Sequence, residues 1–145
     1  MEKTLMLIKP DAFVNGKVGQ IFSFIVQSIK EIDFIQEKFY DCGDPELHRI
    51  IPKHYIEHAG KPFYSRLVGF MTCGPVIACV VGGHNVPISL RALTGDTDPS
   101  KATSNTIRGK FGHNGHDPIH ENLIHVSDSI ISAEREINLW GFNTT

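Results

Sequence analysis

The sequence predicts an α+β fold of the ferredoxin-like (split βαβ) kind: a four-stranded antiparallel sheet with helices covering it. Three observations lead there. Four short apolar or aromatic runs are spread along the chain as strands are, and the segments between them carry helical spacing or helix-capping signals. The resulting order is strand, helix, strand, short helices, strand, helix, strand, helix, for which we expect helices over one face of the sheet. Finally, the 145 residues are the length of one ordinary domain, and no repeat, low-complexity tract or composition break divides them, so residues 1–145 are expected to form a single domain.

Taken in order, TLMLI (residues 4–8) is a compact apolar run that stops at Lys9-Pro10-Asp11, because proline cannot continue a central ladder. Val18, Ile21, Phe22, Ile25, Ile29 and Ile32 recur at offsets of three and four, which puts them on one face of a helix. The aromatic-rich stretch 34–40 reads as a second strand. It ends before Cys42-Gly43-Asp44-Pro45, where Asp44 can cap a helix with Pro45 in its first turn. Pro52 and Pro62 punctuate the next stretch, so two short helices are expected, the second turning Phe63, Leu67 and Phe70 inward. PVIACVV (75–81) is a third strand, broken by Gly82-Gly83. A helix follows, capped by Asn85 and closed by Gly95. Residues 96–118 show no sustained period; NLIH then supplies the fourth strand, and the cluster Ser127-Asp128-Ser129 starts the last helix, with Asp128 as the expected N-cap.

Composition narrows the function. With 41% hydrophobic and 21% charged residues, no apolar run near the roughly 20 residues of a membrane helix and no basic-then-apolar leader, we expect a soluble cytoplasmic protein without a membrane partner. A formal charge of -2 excludes the basic field of nonspecific nucleic-acid binding, so no specific nucleic-acid partner is expected and an anionic ligand must be met by local cations. Cys42, Cys73 and Cys79 form no CxxC pair and are odd in number. That argues against a disulfide framework and for a reducing compartment.

The chemistry gathers around the fourth strand. His125 stands at a strand end just before a helix, where rigid backbone holds a side chain that can still point into a cleft. An imidazole there can attack an electrophile once another group fixes its tautomer, and Glu134 or Glu136 on the following helix could be that group. Neither a GxxxxGK[ST] nor a GxGxxG loop occurs, so side chains must hold any phosphate. Lys9, Arg91 and Arg108, with the Thr97 hydroxyl, are the candidates, although each charge alone is equally at home on a solvated surface.

Four fragments then occur in order: LIKPDA (7–12), TGDTDP (94–99), TIRGKF (106–111) and NLIHVSDS (122–129). With HY at His54-Tyr55, PF at Pro62-Phe63 and SAEREINLW at 132–140, the chain from about residue 4 to 140 resembles the nucleoside diphosphate kinases. The resemblance implies a ping-pong transfer in which His125 takes the γ-phosphoryl of ATP or another nucleoside triphosphate and passes it to a nucleoside diphosphate. Glu136 would orient the imidazole and Ser127 support Glu136. Lys9, Arg91, Thr97 and Arg108 would hold phosphates, with Tyr55 beside the reacting group. Asn122, with Lys9, would bind the ribose, and Phe63 would stack on the base. Mg²⁺ would be held mainly by the nucleotide, with Asp128 reaching it through water. A homo-oligomer is also implied, and a half-covered sheet would leave apolar surface for it.

The sequence departs from that pattern in four places. Val126 stands where the family commonly has glycine, which is harmless only if φ is negative. Ser104-Asn105 replace Pro-Gly, and because Asn105 is the non-glycine residue best able to take left-handed geometry, the turn is expected to be preserved. The segment 109–122 is longer than usual and carries His113, His116 and His120, which we expect to be a solvated loop and not a metal site. The end GFNTT follows Trp140 closely where many relatives have a longer tail, so the subunit number does not carry over. Two rival functions accompany the kinase reading: a nucleotide-binding regulatory module that has lost turnover through Val126 and the long loop, and a histidine-rich metal-binding protein.

Overall fold

The computed structural model describes residues 2–112 and 121–142. Strands β1 (Lys3–Ile8), β2 (Asp33–Tyr40), β3 (Val76–Gly82) and β4 (Ile124–Val126) form one sheet in the order β2-β3-β1-β4, and every neighbouring pair is antiparallel. The helices among the described residues are α1 (Pro10–Val14), α2 (Val18–Ser28), α3 (Pro45–His54), α4 (Tyr64–Cys73), α5 (Val86–Thr94), α6 (Ile107–Phe111) and α7 (Ile130–Leu139), with a 3₁₀ turn at Ile56–His58. The ferredoxin-like arrangement of four strands is therefore present as the sequence predicts.

The covering of the sheet differs from the expectation of one helical face. Alternation along β1 sends Leu5 and Leu7 into a layer with α3, α4 and α7, while Met6 and Ile8 enter a second layer with α2, α5 and α6. Leu5 through Ile8 are all fully buried, so this part of the run is apolar at every position because both of its faces are covered. Each of these side chains contributes about 1.5–3 kcal/mol on burial, and truncating Leu7 to Ala would cost about 2–5 kcal/mol.

Local signals explain most boundaries. Asp44 caps α3 by accepting the Glu46 N–H at 2.9 Å, with Pro45 in the first turn. Pro52 lies inside α3 and does not end it; the helix runs to His54. In α4 Leu67 is buried, but Phe63 and Phe70 are only half-buried against that layer. Asn85 precedes α5 with φ of 60° and makes no side-chain cap; its N–H is taken by the Glu2 carboxylate at 3.0 Å. The α7 cap is Ser129, which accepts the Ser132 N–H at 3.0 Å, and not Asp128.

The Ser104-Asn105 turn forms without left-handed geometry at Asn105. Thr103 Oγ1 donates to Asn105 Oδ1 at 2.6 Å, and Thr106 caps α6 through the Gly109 N–H. Beyond α6, His113, His116 and His120 lie outside the described residues.

Candidate active site

His125 is placed by register. Antiparallel pairing sets Met6 against Val126, Leu7 against His125 and Ile8 against Ile124. The flanking residues Ile124 and Val126 therefore pack into the α2–α5–α6 layer, whereas His125 emerges on the side of α3 and α7. Val126 is 7% exposed and sits in extended strand with negative φ, so its Cβ is accommodated.

The imidazole is fixed by a short chain of hydrogen bonds. His125 Nε2 lies 2.8 Å from Glu136 Oε1, and Ser127 Oγ donates to the same oxygen at 2.7 Å. The other oxygen of Glu136 accepts from Arg135 at 3.4 Å. Burial pushes the Glu136 carboxyl up, but the hydrogen bond and electrostatic attraction of His125, the neighbouring His54 ring and the Ser127 hydroxyl outweigh it and hold it below the ordinary glutamate range. A carboxylate only accepts, so the Nε2 facing it carries the ring proton and Nδ1 keeps a lone pair. Of the two glutamates the sequence offered, the geometry selects Glu136.

These groups open into a cleft of about 380 Å³. Lys9, Tyr55, Phe63, Arg91, Thr97, Arg108, Asn122, Asp128 and Glu136 all line it with His125; of the sequence-predicted residues Ser127, which stands behind the wall, and Glu134 do not. Lys9 Nζ donates to Asn122 Oδ1 at 2.7 Å, and Asn122 Nδ2 donates to the Thr97 carbonyl at 3.1 Å. Lys9 and Asn122 therefore reach the cleft as one unit.

Arg108 is anchored through all three nitrogens: Nε to the Asn122 carbonyl at 3.1 Å, Nη1 to Gly95 O at 3.1 Å and Nη2 to Ile124 O at 2.6 Å. Each terminal nitrogen keeps one further N–H, and that pair can fork onto a phosphate. Burial, then the neighbouring Arg91, brings the Arg108 guanidinium down to about 10. Negative charge in the cleft would relieve both effects.

At the mouth, Phe63 is half-buried, with its ring centroid 5.4 Å from that of His58 and with Lys61 Nζ 5.8 Å from its centre. Tyr55 lies deeper, 6.3 Å from the His125 ring, and burial raises its hydroxyl well above the usual value. Asp128 is exposed at the rim; a hydrogen bond from Ser132, then the charge of Arg91 and a bond from Ser129, outweigh its slight burial and keep its carboxyl below the ordinary aspartate range.

Sequence reasoning missed His54, apart from noting the HY pair. It is 2% exposed and its ring packs edge-on against His125 at 4.6 Å. Trp140 Nε1 donates to His54 Nδ1 at 3.0 Å, which assigns the His54 proton to Nε2, a buried nitrogen without a hydrogen-bond partner. Burial, then the charge of His125, lowers His54 well below the ordinary value and keeps it neutral. Nothing local marks it in the sequence; its burial follows from where α3 packs on α7.

The family model for nucleoside diphosphate kinase matches residues 2–144. The chain belongs to the nucleoside diphosphate kinase family. It is 42% identical to the nucleoside diphosphate kinase of Staphylococcus epidermidis over 140 residues, 97% of this chain and 87% of that one. To the enzyme of Rhodococcus opacus it is 45% identical, covering 96% and 94%. Among solved structures, the halophilic nucleoside diphosphate kinase of Halobacterium salinarum in complex with CDP superposes with a TM-score of 0.81 at 36% identity, over 95% of this chain and 86% of that one. The apo enzyme of Encephalitozoon cuniculi gives 0.86 at 31%, covering 99% and 90%. As a nucleoside diphosphate kinase the chain is a phosphotransferase of nucleotide metabolism, acting between nucleoside triphosphates and diphosphates.

Proposed function

We propose that the transfer runs by a ping-pong mechanism through phosphohistidine at His125 Nδ1. The observation that carries this is the 2.8 Å contact between His125 Nε2 and Glu136, which leaves Nδ1 as the nitrogen with a lone pair. That lone pair attacks the γ-phosphorus, the P–N bond forms, and the bond to the β,γ-bridging oxygen breaks to release the diphosphate. The ring becomes cationic, and Glu136, supported by Ser127, stabilises it. A second nucleoside diphosphate enters the same cleft and reverses the step.

The remaining residues hold the nucleotide. Arg91 and Arg108 flank the developing equatorial charge with planar donor forks, Lys9 serves phosphate oxygen and ribose together with Asn122, and Thr97 adds a hydroxyl. Tyr55 stands beside the reacting group. Phe63 stacks on the base, an interaction open to any base because each has a π face.

Kinases of this kind use a divalent metal, which we take to be Mg²⁺. The donor set fits a hard cation held mostly by the nucleotide: few carboxylates line the cleft, and Asp128 at its rim, kept ionised, can reach the cation through water. When bound, Mg²⁺ neutralises phosphate charge.

We further infer a cytoplasmic, single-domain homo-oligomer. The first rests on unpaired cysteines and on there being no helix among the described residues long and apolar enough to cross a membrane. The homo-oligomer rests on exposed apolar residues such as Phe39 on edge strand β2 and Val26 on α2; the covered sheet faces no longer supply that surface. The experiment for the mechanism is an initial-rate matrix of ATP against a diphosphate acceptor. Parallel double-reciprocal lines are expected, and intersecting lines would exclude a free phosphoenzyme.

A further inference from the structure

Leu123, two residues before His125, has φ of 74°. The Ile124 N–H donates to the Asn122 carbonyl at 2.9 Å, so residues 122–124 close a three-residue turn with positive φ at its centre. Turns of this kind are rare and strained, and leucine has none of the local hydrogen bonding that eases asparagine into that region. The Leu123 side chain is fully buried, so the turn cannot relax without withdrawing it from the core.

Several bonds hold the turn. The Lys9 N–H donates to the Leu123 carbonyl at 2.9 Å, and Arg108 takes the carbonyls on either side, of Asn122 and Ile124. The Leu123 N–H itself donates to Asp11 Oδ2 at 2.9 Å. Lys9 and Arg108 line the cleft, whereas Asp11 does not. Asp11 is 4% exposed, and its second oxygen, Oδ1, is buried with no hydrogen-bond partner. A carboxyl kept in such surroundings is costly, and neither binding nor phosphoryl transfer as described above uses it.

We propose that Asp11 is a positioning residue: by accepting the Leu123 N–H it fixes the strained turn that delivers Asn122 and His125 to the cleft. The inference rests on the reading of His125 as nucleophile. Its rival is electrostatic, because Asp11 also lies within the field of Lys9. Asp11→Asn separates the two, since it keeps an acceptor oxygen of the same shape and removes the charge, while Asp11→Ala removes both.

The test measures the rate of phosphoenzyme formation at saturating ATP in both variants, beside amide hydrogen exchange at Leu123. Asp11→Ala is expected to lose about 10–100-fold in rate, the scale of a displaced reacting group, and to expose the Leu123 amide to exchange. Asp11→Asn is expected to stay within about threefold of wild type with the amide still protected. An Asn variant as slow as the Ala variant, or an Ala variant as fast as wild type, would overturn the proposal. If Asp11→Ala does not fold, Asp11→Asn decides alone: a protected amide with retained rate supports the turn, and an exposed amide or a rate loss above about tenfold overturns it. His125→Ala is run alongside; a mutant still phosphorylated would sink the nucleophile reading, and Leu123 exchange would continue to report on the turn by itself.

Discussion

At the residue scale the site depends on one carboxylate. Glu136 is 4% exposed and accepts from His125 and Ser127 on a single oxygen, so Glu136→Gln keeps an acceptor oxygen there but removes the charge that, in the proposed mechanism, would stabilise the phosphorylated ring. We expect phosphoenzyme formation to fall by about 10²-fold or more, with nucleotide affinity far less affected, as single-turnover kinetics would separate. Arg91→Lys replaces a donor fork by a point charge and should raise KM by about tenfold, the worth of one charge-assisted bond; an unchanged KM would remove Arg91 from phosphate binding. His54 gives a pH signature. Its folded value lies well below the 6.5 of a free imidazole, so between those values the unfolded chain binds the extra proton. Stability should therefore decline as pH falls below 6.5, and His54→Gln should flatten that part of a denaturation profile.

Among the elements, β4 shows where reading the sequence succeeds and where it stops. The pattern NLIH gives a strand ending in a histidine, but the strand proper is Ile124–Val126, because the first two residues of the pattern are spent on the strained turn. Nothing in Asn122-Leu123 signals positive φ; the bonds to Asp11, Lys9 and Arg108 impose it from other parts of the chain. Proline behaves likewise: Pro45 was legible as a helix start, whereas Pro52 is carried inside α3 by the packing of Ile50 and Ile51 into the core. Val126 tests the element directly. Because it is a buried strand residue, Val126→Gly should cost about 2–3 kcal/mol in denaturant unfolding while changing turnover less than threefold or so. A large gain in rate would instead mean that the valine obstructs the cleft.

For the molecule as a whole, the four strands were readable from four apolar or aromatic runs, but which faces the helices cover was not. A central strand buried on both sides and a strand buried on one differ only in whether alternate positions are polar, and TLMLI has no polar alternates between Leu5 and Ile8. The lining of the cleft was more legible than the covering of the sheet, since Lys9, Arg91, Arg108 and His125 sit in motifs whose order along the chain can be read without knowing their spacing in space. The places of the buried His54 and Asp11 beside it were not, because burial and tautomer are properties of the folded chain. The most direct measurement is intact mass after brief incubation with Mg·ATP and no acceptor, followed by GDP, for wild type and His125→Ala. Wild type should gain one phosphoryl group that acid removes and that GDP removes with formation of GTP, and His125→Ala should gain none. A wild-type protein that binds nucleotide but never gains that mass would contradict phosphoryl transfer through His125.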